Sequence, residues 1–117
     1  MALFREDIRR YEDELVNRVI PFWENHCTDH KYGGYFTSLD RDGSVYDTEK
    51  YMWMQWRIVY MFALFAMSPY RKETFLPIAE RGFDFLTKHG KSPDGTYYFA
   101  LNRKGEPSVA PYNIFSD

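Results

Sequence analysis

One cysteine, Cys27, and three histidines, His26, His30 and His89, are all that this 117-residue chain holds of the side chains most used for cross-linking and metal binding. A single cysteine excludes an intrachain disulfide and fits a reducing cytoplasm. Its simplest place is as a small buried apolar side chain; the alternative, a nucleophile, would need His26 or His30 as its base. Three scattered histidines are too few for a metal site, and neither metal nor cofactor is expected. Charge of one sign is also missing: 15 basic and 17 acidic residues are well mixed, for a net charge of -2. No basic face therefore points to nucleic acid. Long apolar runs are absent as well. The uncharged stretch after Arg57 ends at Arg71 and contains Pro69, short of the roughly 20 residues a membrane helix needs. The opening Met-Ala-Leu-Phe-Arg-Glu-Asp-Ile is charged too early for a secretory signal. The expectation is a soluble, cytoplasmic protein without membrane or nucleic-acid partners.

Apolar and aromatic residues, by contrast, are plentiful at 44% and 20%, ample for a core in one ordinary domain. Ile8, Tyr11, Leu15, Val19 and Phe22 recur at three- and four-residue steps, which predicts a first helix from Ile8 to about Trp23 with that row inward. Asp47 or Thr48 can cap a second helix running to about Met67, where Ser68-Pro69 ends it. A third helix is predicted from Lys72 to about His89, with Phe75, Ile78, Ala79, Phe83 and Leu86 inward, Pro77 tolerated in its first turns and Gly90 at its end.

Between Tyr51 and Pro69 the only charged residue is Arg57. A guanidinium among rings is costly unless it faces a polar cleft or a buried partner. On a helix Trp53 lies one turn before it, so a planar donor fork stands beside a flat apolar surface, the pairing that suits sugar hydroxyls and sugar C–H faces. The competing reading is a core helix whose arginine pairs with a distant carboxylate, and for Trp53 core packing.

Asp42-Gly43 is a hairpin signal between Tyr35–Leu39 and Ser44–Tyr46. The segment Tyr98-Phe-Ala-Leu-Asn-Arg-Lys-Gly-Glu repeats the pattern of Tyr35-Phe-Thr-Ser-Leu-Asp-Arg-Asp-Gly-Ser, an aromatic strand leading into a polar turn. Helices alternating with hairpins too short for a core sheet suggest a mainly α fold, an α/α toroid with the hairpins at one end. Tyr32-Gly33-Gly34-Tyr35 reads as a tight loop.

Phe22-Trp23-Glu-Asn-His, Tyr32-Gly-Gly-Tyr-Phe-Thr, Leu39-Asp-Arg-Asp-Gly-Ser-Val-Tyr-Asp, Lys50-Tyr-Met-Trp-Met-Gln-Trp-Arg57, Phe85-Leu-Thr-Lys-His-Gly and Asn113-Ile-Phe-Ser-Asp117 occur in an order that resembles the N-terminal part of the N-acylglucosamine 2-epimerase (renin-binding protein) family. The resemblance covers essentially the whole chain. It implies that residues 1–117 form the N-terminal part of an (α/α)6 barrel, incomplete at its C-terminal end. It also implies C2 proton abstraction from a sugar through an enediolate, with two histidines as acid and base and no metal. Those histidines lie on later helices, so no catalytic residue falls in this chain. His26, His30 and His89 do not match them and read as surface or helix-end residues. Arg57 matches the family arginine that hydrogen-bonds the sugar, and Trp53 is the second substrate-binding candidate. Trp56 departs from the pattern, which often has a small residue there; its ring would narrow the pocket or alter helix packing. Asp117 reads as a helix cap. The small-molecule sugar partner belongs to the completed barrel. The piece alone is expected to be inactive and to self-associate through apolar faces meant for missing neighbours. The alternative is a noncatalytic interaction or regulatory fragment that pairs with a homologue or another protein.

Overall fold

Proline 21 sets the character of the first helical run. In the computed structural model, which describes residues 2–109, that run has three parts: α1 (Ala2–Glu14), a π-helical turn (Leu15–Val19) and α2 (Ile20–His26). Glu14, Val19 and Ile20 all keep right-handed helical angles, so the parts join without a break. Pro21 cannot donate to the carbonyl four residues back and its ring crowds it. The preceding turn widens accordingly, and Ile20 N–H reaches back to the Leu15 carbonyl.

Two more helices follow, α3 (Met52–Ala66) and α4 (Phe75–His89), packed against each other. The strands are short: β1 (Ser38–Leu39) pairs antiparallel with β2 (Val45–Asp47), and β3 (Lys50–Tyr51), β4 (Ala100–Leu101) and β5 (Pro107–Val109) form an antiparallel sheet in that order. They follow the C-terminal ends of α2 and α4 and precede the N-terminus of α3, so all lie at one end of the helical layer. Ile20, Cys27, Tyr35, Ile58, Phe62 and Phe75 are the centre of the core; Met52, Phe85, Leu86 and Leu101 form a second cluster beneath the sheet.

Several expectations need correction. Helix α3 starts at Met52, not near Thr48, because Lys50 and Tyr51 pair with Leu101 and Ala100 as a strand. Helix α4 starts at Phe75, after Thr74, rather than at Lys72. The row Ile8, Tyr11 and Val19 does not face inward: Ile8 is 55% and Tyr11 67% exposed. The helical period is present, but α1 extends past the elements that would cover it. Phe83, assigned inward, is 50% exposed and touches Trp56 only edge-on. Phe115 and Asp117 lie outside the described residues.

The repeat seen in the sequence is a repeat in space. Phe22 stacks on His26 at 5.1 Å and, 63 residues on, Phe85 stacks on His89 at 4.9 Å. Each histidine ring lies under the glycine of the following turn, Gly43 or Gly105, where a Cβ would strike it. Both glycines hold φ near +90°, a conformation that L side chains avoid. Each turn closes with the same bonds: Gly43 N–H to the Asp40 carbonyl, and Gly105 N–H to the Asn102 carbonyl. One helix end with its hairpin is thus built twice.

Between the two units Tyr35 is fully buried and its hydroxyl donates to the Ile78 carbonyl of α4 at 2.6 Å. The ring can pass because α4 has Gly82 there; a Cβ at that position would overlap the Tyr35 hydroxyl. Gly82→Ala is therefore expected to lose about 1–3 kcal/mol through overpacking, despite the helix propensity it gains. Urea unfolding checks this, and an unchanged midpoint would mean the ring moves aside freely.

Candidate functional site

Helical spacing divides α3 into two faces. Met52, Gln55, Ile58 and Phe62 are buried, whereas Trp53, Arg57, Tyr60, Leu64 and Met67 form an exposed row on the other side. This row is apolar except for the Trp53 indole N–H, the Tyr60 hydroxyl and the Arg57 cation. No carboxylate pairs with Arg57 among the described residues; its guanidinium lies over the Trp53 ring, 5.3 Å from the centroid. The cost that led us to expect a polar cleft or buried partner is avoided by exposure instead. Trp53, 40% exposed, stands on the open face and is not buried in the core. A planar donor fork beside an aromatic face is thus present and unblocked, able to hydrogen-bond hydroxyls and to favour negative charge developing on a bound oxygen. Trp56 turns toward α4, edge-on to Phe83 and Tyr97, so it shapes helix packing and does not narrow the arginine's surroundings.

Gln55 fixes which way this face points. Its Oε1 accepts from Tyr35 N–H at 2.8 Å and its Nε2 donates to the Tyr35 carbonyl at 2.9 Å, all buried. The side-chain amide does for Tyr35 what a neighbouring strand would do, and it ties the roll of α3 to the loop.

Below the hairpins lies a charged cluster that our sequence reading missed. Lys50 is fully buried; its ammonium donates to Asp29 Oδ2 at 2.9 Å, the Gly33 carbonyl at 2.7 Å and the Arg103 carbonyl at 2.8 Å, using all three protons. It also sits 4.5 Å from the Phe85 ring centroid. Asp29, also fully buried, accepts in addition from Arg103 Nε and Nη2 and from the backbone N–H groups of Lys31 and Tyr32. Burial opposes its ionisation, but Arg103, Lys50 and the Tyr32 N–H outweigh that and hold the carboxyl well below the usual range. Arg81 adds bonds to the Asp29 and His30 carbonyls. The cluster joins the loop after α2, the strand before α3 and the second hairpin, so it holds the N-terminal end of α3 in place. With every proton and most lone pairs committed, it offers no free group for chemistry. The only signal for it in the sequence was Lys50, inside an otherwise aromatic motif.

The remaining candidates fall elsewhere. His26 and His89 are packed against phenylalanines under glycines, and His30 is on an exposed loop. Cys27 is fully buried and its thiol is pushed up to about 12 by burial, which removes the nucleophile alternative. Tyr32-Gly-Gly-Tyr is a loop, closed by Gly33 N–H on the Asp29 carbonyl. Among the described residues no group of three or more His, Cys, Asp or Glu could hold a metal ion, and no helix is long and apolar enough to cross a membrane.

Comparison with known proteins gives several likenesses. The profile of N-acylglucosamine 2-epimerase (GlcNAc 2-epimerase) matches residues 34–116. An N-acylglucosamine 2-epimerase of Mus musculus is 40% identical over 113 residues, 93% of this chain but 27% of that protein. A cellobiose 2-epimerase structure from Bacillus thermoamylovorans superposes with a TM-score of 0.78 at 27% identity, covering 93% of this chain and 27% of the other. That of the Spirochaeta thermophila cellobiose 2-epimerase gives 0.81 at 20% identity, again over 93% and 27%, a likeness of fold. The chain thus spans about a quarter of the length of the relatives it matches, and its helices and end hairpins are those of part of an (α/α)6 barrel. It belongs to the N-acylglucosamine 2-epimerase family.

Proposed function

We propose that residues 1–117 form an incomplete barrel unit that supplies the arginine-bearing wall of a sugar 2-epimerase of the N-acylglucosamine type, and that activity belongs to the completed barrel. The observation that carries this reading is the open Trp53–Arg57 pair on α3. Epimerisation at C2 removes a proton beside a carbonyl and returns one to the opposite face, with negative charge collecting on the carbonyl oxygen in between. Arg57 donates its fork to the substrate near that carbon and favours the enediolate charge; Trp53 stacks on a C–H face of the sugar. The base and acid are two histidines supplied from outside this chain, since His26 and His89 are committed to packing and His30 stands away from α3. The buried free thiol of Cys27 suits a reducing cytoplasm. Cellobiose or a free aldose are the other substrates consistent with the same wall.

The test is a chimaera in which this chain replaces the equivalent segment of the Mus musculus enzyme. It should interconvert N-acetylglucosamine and N-acetylmannosamine and exchange the C2 proton with solvent. The chain by itself should wash no deuterium into N-acetylmannosamine, mannose or cellobiose by NMR; exchange by the isolated chain would mean that the bases have been misplaced. The exposed apolar rows on α1 and α3 favour a second reading, a noncatalytic segment that pairs with a homologue or another protein. An inactive chimaera that folds with its parent's stability would turn the case toward that reading.

A further inference from the structure

Arg57 owes its aim to a side chain on the far side of its own helix. At roughly 3.6 residues per turn, a step of two residues turns the chain through about 200°. Gln55 therefore stands nearly opposite both Trp53 and Arg57, and it is buried where they are exposed. Its amide closes a ring of two bonds with Tyr35, accepting from the N–H at 2.8 Å and donating to the carbonyl at 2.9 Å. The loop comes this close because Gly34 precedes Tyr35: its φ is +69°, and a Cβ there would meet Gln55 Oε1 at 3.0 Å and the Phe85 ring at 2.9 Å. The loop is itself anchored, the Gly33 carbonyl accepting from the Lys50 ammonium and the Tyr35 hydroxyl donating to the Ile78 carbonyl. The other buried side chains of α3, Met52, Ile58 and Phe62, are apolar and resist sliding through dispersion contacts alone.

The polarity of the two bonds is specific. One atom of the side chain must accept and the other must donate, which a primary amide or a protonated carboxyl can do and a carboxylate cannot. The guanidinium stands well outside the roughly 2.3 Å backbone cylinder, so a roll of about 10° carries it about 1 Å. A misplacement of that size can cost about 100-fold in rate. We propose that Gln55 is a positioning residue for the 2-epimerase reaction: by gripping both backbone groups of Tyr35 it sets the roll of α3, and so the direction in which Arg57 presents its fork to the sugar. This role rests on the sugar reading and adds to it a residue that never touches substrate.

Gln55→Glu in the chimaera tests it. While protonated, the new carboxyl keeps both bonds; once ionised, it turns an oxygen on the Tyr35 carbonyl. Burial raises the carboxyl above its ordinary value of about 4.3, so the intact geometry is present at low pH and is lost as pH rises through the raised value. Over about pH 5–9, kcat of the variant is compared with that of the parent chimaera, each per folded molecule by near-ultraviolet circular dichroism. The ratio should start near unity and fall about tenfold or more, with KM little changed, as for a contact made mainly in the transition state. In an Arg57→Lys background, where the fork is already gone, the same change should cost less than about twofold, because residues that act through one another are not additive. A ratio that stays flat across pH, or an equal loss in the Arg57→Lys background, would overturn the proposal. An inactive parent chimaera would be a failure of the sugar reading, and NMR of the 117-residue chain separates the two. There the Trp53 indole N–H and Arg57 Nε–H signals should shift as the new carboxyl titrates. Shifting signals beside an inactive parent would keep the grip and overturn its catalytic role; signals that stay fixed would overturn the grip itself.

Discussion

Replacing Arg57 by lysine in the completed barrel should lower kcat/KM by about 100-fold or more, the loss seen when one preorganised donor to a developing oxyanion is removed. Lysine retains the charge but not the planar fork, so the surviving activity reports how much of the effect is charge alone and how much is geometry. Stability should hardly change, because Arg57 is exposed and its guanidinium lies over the Trp53 ring with no salt-bridge partner among the described residues; surface changes of this kind stay within about 0.5 kcal/mol. Near-normal kinetics in the chimaera would reassign Arg57 to packing and leave the Trp53–Arg57 face without a role.

The largest effect on stability should come from Asp29→Asn. The substitution keeps shape but strands the Lys50 ammonium, which is fully buried and loses its counter-ion. Breaking a buried pair from one side costs about 3–5 kcal/mol, a large share of the roughly 5–15 kcal/mol that holds an ordinary domain together. Lys50→Met should cost less, because Asp29 keeps Arg103 and two backbone N–H groups. The pH dependence gives a separate check. The Asp29 carboxyl is held below its ordinary value in the fold, so its contribution is fully present above about pH 4 and fades as pH falls toward the folded value. Asp29→Asn should therefore flatten the acid limb of the stability profile. Equal losses in the two variants, or an acid limb unchanged in Asp29→Asn, would show that the cluster is not the electrostatic unit its geometry describes.

Much of the fold was legible because it rests on local signals. The three-four spacing of apolar residues, the Asp42-Gly43 turn and the second copy of that turn at Lys104-Gly105 each act within a few residues. The partner of a face was not legible. Ile8 and Tyr11 have the period of buried residues, yet what would bury them is not among the described elements, and Phe83 lies on the outer flank of α4 for the same reason. The start of α3 was misplaced because Lys50 and Tyr51 are held as a strand by Leu101 and Ala100, far downstream in the sequence. In the site, Arg57 stood out as a lone charge among rings. Asp29 and Arg103 did not, since 74 residues separate them and each looks like an ordinary loop residue. Nor did Gln55, whose meaning depends on a backbone segment 20 residues away.

That glutamine has a mechanical consequence. A helix held only by apolar contacts can roll a few degrees about its axis when a neighbour changes size, because dispersion contacts slide at little cost. The two bonds from Gln55 to Tyr35 act like a key in a shaft: any torque on α3 from a resized core residue must stretch both before the outward row can swing. The direction in which Trp53 and Arg57 point is thereby insulated from drift in the core, and the core is free to vary without re-aiming them.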